Sequence, residues 1–230
     1  MSIRKLLPVV AAWAGLFCAL ASGAVAQTLK IGLIAPLTGA GAPWGQAAAE
    51  GVKHFASEVN AKGGVKIGEK TYRLEIAAHD DRYMAADAVA AYNKLNTQDG
   101  VKFVFMLGSA STLAVKHKIE EDKVIVITGA VSDKIFEGDA KHMYRLFSNT
   151  GDYMPGVVKW IKDNYAQRRL VIVDPNDETG WEHSQLASRL FKENGFTLVA
   201  TELFERTQRD FSPLITKILA MQPEMIELGS

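Results

Sequence analysis

Short, nearly uncharged apolar runs alternate with stretches of helical periodicity from Thr28 to Ser230, and few folds accept that order. The first run, TLKIGLIAPL over Thr28–Leu37, is rich in isoleucine and leucine and suits a strand covered on both faces. The glycines and proline of TGAGAPWG then predict a loop. Val52, Phe55, Ala56 and Val59 recur at helical spacing, and Gly63 with Gly64 predicts the stop. After a loop through Gly68, TYRLEIAAHD predicts a second strand with Leu74 and Ile76 on one side. Ala85, Ala88, Val89, Tyr92 and Leu95 mark one face of the next helix. Val101–Leu107 then predicts a strand, Ser111–Asp122 a helix and VIVITGA a fourth strand. Strand and helix taking turns this closely predict parallel crossovers, hence an α/β chain with a doubly wound sheet.

The rhythm breaks around YRLFSNTGDYMP and then restarts. Val157, Val158, Trp160 and Ile161 predict a helix, RRLVIVDP a strand, Glu182–Asn194 a helix and FTLVATELF a strand. A helix with Ser212 as cap and Pro213 in first position follows, then a strand in EMIELGS. Leu146–Tyr153 is therefore the expected crossover between two lobes, residues 27–147 and 148–230, and a natural hinge. A single continuous sheet with one longer loop is the alternative. Because Ser230 stands at the end of a strand, the second lobe is expected to be incomplete, with an apolar face and a sheet edge in water.

Residues 1–26 have the three-part layout of a secretory signal peptide: Arg4 and Lys5, an apolar stretch from Leu6 to Leu20, and Ala24-Val25-Ala26 before Gln27. A membrane anchor is the alternative, but the stretch falls short of the roughly 20 residues a span needs. Cys18 would leave with the peptide, so the mature chain holds no cysteine. Export without disulfides points to a bacterial periplasm. Removing Arg4 and Lys5 from 26 basic residues leaves 24 against 26 acidic ones, a balance that argues against a nucleic-acid partner.

Ligands of open parallel sheets sit beyond the carboxyl ends of the strands. Those ends carry TGAGAPWG, HDDRYM, GSAST, TGAVSD and DPNDETGW, with Trp44 and Trp181 as large flat surfaces. GSAST lacks the second glycine of a nucleophile elbow, and no phosphate-loop lysine or dinucleotide fingerprint accompanies it. What remains at Ser109, Ala110, Ser111 and Thr112 is a helix start with amides and hydroxyls, suited to a carboxylate. These residues could instead serve only as helix caps. His79-Asp80-Asp81 is too compact to surround a metal ion, and Asp80 and Asp81 read as loop and cap residues. The spacing of His54, His117, His142 and His183 suggests no metal site, so neither metal nor cofactor is expected. Trp44 could stack on a ligand or pack under its loop.

From Leu29 to Ser230 the chain resembles the type I periplasmic solute-binding proteins of the leucine/isoleucine/valine-binding family, receptors for ABC importers. The resemblance is carried, in order, by IGLIAPLTGAGAPWGQ, by GVKHFASEVNAKGGV leading to HDD, by MLGSAST before VIVITGAVS, by YRLFSNTGDY and by FERTQRDFSPLITKI. It implies two lobes that close about a hinge on a small solute, which a membrane permease then receives, without catalysis. By resemblance Trp44 lies against the ligand, Ser109 holds its carboxylate, and the Gly129 carbonyl, in the Gly129-Ala130-Val131 loop, faces an ammonium. Val131 stands where amino-acid binders present threonine, and Thr179 where an aromatic of the second lobe often closes. The family's acidic partner for the ammonium would fall beyond Ser230. These departures bring an aromatic or other small carboxylate into competition with a branched-chain amino acid. Thr179 and Trp181 are the second-lobe contacts available. A ligand-sensing domain for a signalling partner is the alternative function, and an exported enzyme is a third. The chain as it stands is expected to bind ligand weakly and to dissolve poorly.

Overall fold

The computed structural model describes residues 27–229 apart from Asp139, so the region read as a signal peptide and Ser230 lie outside the described residues. The strands are β1 (Gln27–Ala35), β2 (Val65–Ile67), β3 (Lys70–Asp80), β4 (Phe103–Met106), β5 (Ile125–Thr128), β6 (Met143–Arg145), β7 (Arg169–Pro175), β8 (Thr197–Phe204) and β9 (Met225–Leu228). The helices are α1 (Ala42–Ala61), α2 (Ala85–Thr97), α3 (Ser109–Asp122), α4 (Thr150–Asn164), α5 (Glu178–Glu193) and α6 (Ser212–Ala220).

The chain forms two compact units. Among the described residues the smaller takes in Gln27–Leu29 with Phe55–Glu75, and the larger Lys30–His54 with Ile76–Gly229. In the smaller unit Gly63 and Gly64, at φ of 100° and 89°, end α1 as expected. The predicted loop through Gly68 is instead a hairpin, with Val65 opposite Tyr72 and Ile67 opposite Lys70, antiparallel. The sheet is therefore mixed and not wholly parallel. Three paired residues on each side of a turn are too few to show a period in sequence.

In the larger unit the strands run β3-β1-β4-β5-β6, and β1, β4, β5 and β6 are mutually parallel. β6 is a further difference, since it enters the stretch read as a break in rhythm. Ile34, Tyr92, Leu95, Met106, Ile119 and Val126 form one core, and Leu33, Ala35, Ala49 and Leu107 a second. Alternation in β4 and β5 leaves Phe103, Ile125 and Ile127 42%, 36% and 44% exposed.

The second sheet has the order β8-β7-β9, with both neighbours parallel to β7. Leu170 and Ile172 pack with Met154, Val158, Ala187 and Phe191, whereas Val171 and Val173 pack with Ile218. β7 is thus covered on both faces, as its unbroken apolar sequence requires. Asn149 and Asp152 form a reciprocal capping box at the start of α4, which fixes where the chain leaves β6 for this sheet.

Three helices begin earlier than periodicity indicated. α1 includes Pro43 and Trp44 of the predicted loop, because proline is well suited to a first turn. α3 starts at Ser109 and α5 at Glu178, so Thr179 and Trp181 stand on a helix and not in a loop. Phe211, not Ser212, occupies the cap position of α6.

Candidate functional site

The strand-to-helix turn after β4 is built on Gly108, whose φ of 90° side-chain-bearing residues rarely adopt. No side chain caps α3, so its first-turn amides are left to an outside acceptor. Ser109 does not cap its own helix. Its Oγ accepts the amides of Val131 at 3.2 Å and Ser132 at 3.3 Å, holding the loop after β5 against the start of α3. Thr112 Oγ1 donates to the Gly108 carbonyl and lies 2.8 Å from Thr128 Oγ1, which in turn accepts the Ala130 amide. Ser111, Thr112 and Ala130 are buried and support this corner from behind.

In front of the corner lies a cavity of about 320 Å³. Trp44, Tyr83 and Phe204 give it aromatic walls, and Ser109 and Thr179 bring hydroxyls. Gly108, Gly129 and Val131 also line it, and Arg206 brings a positive charge. Of the sequence-derived candidates, Trp44, Ser109, Gly129, Val131 and Thr179 line the cavity; Ala110, Ser111, Thr112, Ala130 and Trp181 do not. Trp44 is 69% exposed, a wall open to solvent and not a residue packed beneath its loop. Trp181 turns its Nε1 to Asn176 Oδ1 at 2.9 Å.

Arg82 and Tyr83 both adopt positive φ, 47° and 62°, an unusual pair for residues with side chains. The Tyr83 ring faces the Arg206 guanidinium, whose carbon is 4.4 Å from the ring centroid. Burial raises the Tyr83 hydroxyl's pKa, so it stays protonated. Arg206 Nε donates to Asp177 Oδ2, while Arg206 Nη2 is buried without a hydrogen-bond partner. Phe204 and Arg206 are further lining residues, supplied by the end of β8 and the loop after it. A cation two residues beyond an apolar strand was the available signal.

Next to the cavity, the carboxylate of Asp80 accepts the amides of Leu37, Thr38 and Arg82 and the Thr38 hydroxyl. Burial alone would raise its pKa, but these donors outweigh it and the net shift is downward. Asp81 is fully buried and its pKa is raised, chiefly by that burial. Contacts also run from the loop after β5 to α5. Glu182 accepts from the Ser132 hydroxyl and, at 2.8 Å, the Asp133 amide, and Lys134 Nζ meets Glu178 Oε1 at 2.7 Å.

Farther along α5, His183 lies between Asp174 and Glu227, a grouping that no sequence spacing announced. Burial lifts Glu227 to about 7.

The sequence profile of the periplasmic binding proteins matches residues 28–229. The chain belongs to that family. The leucine-specific-binding protein of Salmonella typhimurium is 25% identical to it over 213 residues, which make up 92% of this chain and 56% of that protein. A solute-binding protein of an ABC transporter from R. palustris, solved with 4-hydroxybenzoate, superposes with a TM-score of 0.75 at 20% identity, covering 89% of this chain and 54% of the other. A fatty acid ABC transporter substrate-binding protein from Thermomonospora curvata superposes with a TM-score of 0.78 at 24% identity, covering 88% and 51%. The fold is the type I periplasmic binding protein fold, and this chain spans about half the length of the relatives it matches. No helix among the described residues is long and apolar enough to cross a membrane.

Proposed function

We propose that this chain belongs to a periplasmic receptor that holds a small carboxylate-bearing solute reversibly and hands it to the permease of an ABC importer. The carrying observation is that the uncapped start of α3, the Ser109 hydroxyl and the Arg206 guanidinium meet at one cavity with aromatic walls. Helix-start amides and a guanidinium favour an anion, and the aromatic faces favour an apolar body. Leucine, 4-hydroxybenzoate and fatty acids, named for the relatives, have a carboxylate and an apolar body in common.

The reading assigns no covalent step to Ser109, whose Oγ is occupied as an acceptor from two amides. Residues 1–26 act in it as the export signal. Residues 27–147 and 148–230 act as two lobes with Leu146–Tyr153 as the hinge. Thr179 and Arg206 reach the cavity from the second lobe, so a ligand between the lobes binds the closed form better, as closure requires.

Calorimetric titration of the chain from Gln27 with leucine, 4-hydroxybenzoate and decanoate tests the proposal. At least one acid binds, its methyl ester binds more weakly, and Ser109→Ala lowers the affinity about tenfold, the scale of one hydrogen bond to a charged group. Equal affinity for acid and ester would overturn the carboxylate reading.

A further inference from the structure

Away from the cavity lining, β7, α5 and β9 bring three donor side chains to one buried point. Asp174 is next to last in the covered strand β7 with its side chain 0% exposed, His183 is 6% exposed, and Glu227 on β9 is 16% exposed. His183 Nδ1 is 3.0 Å from Asp174 Oδ2, and Nε2 is 3.4 Å from Glu227 Oε1. One donor atom from each residue lies within 4.8 Å of the other two.

These groups do not satisfy one another. Asp174 Oδ1 and Glu227 Oε2 are buried with no hydrogen-bond partner. Two buried carboxylates face a single imidazole, and burial disfavours their charged forms unless a proton or a cation neutralises them. The backbone keeps the point open. A Cβ on Gly229 would fall 1.7 Å from Asp174 Oδ1 and 2.4 Å from His183 Nδ1, so any side chain there would break the contact between Asp174 and His183. β9 also reverses the usual strand pattern, turning Glu227 inward and leaving Ile226 and Leu228 52% and 72% exposed.

We propose that Asp174, His183 and Glu227 form a site for a divalent transition-metal ion of the zinc type. One nitrogen and carboxylate oxygens suit that class better than calcium or magnesium, which favour oxygen alone. Ligands bound at about 2.0–2.1 Å to tetrahedral zinc lie about 3.3 Å apart; one imidazole gives an ion one nitrogen, and the separation that fits is the 3.4 Å from His183 Nε2 to Glu227 Oε1, with Asp174 on Nδ1. The ion replaces one proton between imidazole and carboxylate. The second imidazole nitrogen keeps its N–H on the other carboxylate, which orients the ring. His183 stands one turn beyond Thr179 on α5, so an ion there steadies the helix that carries a cavity residue.

The test is titration of the metal-stripped chain from Gln27 with zinc chloride and, separately, with cobalt(II), whose visible absorption reports low coordination number. Zinc binds one to one, raises the melting temperature, and cobalt gives a coloured complex. His183→Gln abolishes both signals, and Asp174→Asn weakens zinc binding about tenfold or more, as loss of an orienting carboxylate does. Circular dichroism confirms that each variant remains folded. Lack of one-to-one binding, or unchanged binding and colour in folded His183→Gln, would overturn the proposal. The carboxylate titrations are separate, so failure here leaves the receptor reading standing.

Discussion

Asp177 joins the start of α5 to Arg206. Its Oδ1 caps the helix, accepting the amides of Thr179 at 3.0 Å and Gly180 at 3.2 Å, and its Oδ2 takes the Arg206 Nε–H. One carboxylate therefore positions both Thr179 and Arg206 at the cavity. Asp177→Ala is expected to destabilise the fold by about 1 kcal/mol through the lost cap and to weaken acid binding beyond that. Arg206→Met is expected to lower affinity for the acid about tenfold, the equivalent of about 1.4 kcal/mol, and to cost some stability because Asp177 Oδ2 and the Tyr83 ring lose their cation. Melting curves beside titrations separate the two effects.

Asp80 sets an acid limit. Folding lowers its pKa below the ordinary 3.8, so the stabilisation is fully present above that value and is lost as pH falls through the folded pKa. Asp80→Asn is expected to cost about 1–2 kcal/mol at neutral pH, since the amide is a poorer acceptor for the loop of Leu37 and Thr38. Denaturation profiles of parent and variant should converge only once the pH falls below the lowered pKa of folded Asp80, where both side chains are neutral. Parallel profiles throughout would refute the assignment.

Glu182 ties α5 to Ser132 and Asp133. If these contacts belong to the closed form, Glu182→Ala should speed ligand release several-fold and leave association nearly unchanged, because losses of contact fall mostly on dissociation. Stopped-flow measurement of both rates checks this. An unchanged dissociation rate would remove these contacts from the closure mechanism.

Phe103, Ile125 and Ile127 present apolar surface on one side of the first sheet, and Ile226 and Leu228 do so on the second. Apolar patches of this kind favour association. The chain from Gln27 is expected to self-associate with rising concentration, and Ile127→Lys to shift it toward monomer, as sedimentation or light scattering would register.

What could be read beforehand depended on length and burial. β7 was visible as RLVIVDP because a strand covered on both faces must be apolar throughout. β2 and β6 are three residues each and carry no period, so they were missed. The helix starts at Ala42, Ser109 and Glu178 were obscured because glycine, serine and acidic residues serve loops and first turns equally. Ser109 was identifiable from its place after an apolar strand. Its hold on Val131 and Ser132 was not, since the partners are over twenty residues away. Arg206 and the grouping around His183 depend on which strand ends become neighbours, and hydropathy alone does not state that.

The cavity lining comes from the ends of separate strands, whereas the two sheets keep their own cores of Ile34, Met106 and Val126 on one side and Leu170 and Ile172 on the other. Rim residues such as Val131, Thr179 and Arg206 can therefore be exchanged with little disturbance to either interior. Such a scaffold can drift from one cargo to another through a handful of replacements, its architecture passing unaltered between descendants that no longer carry the same compound.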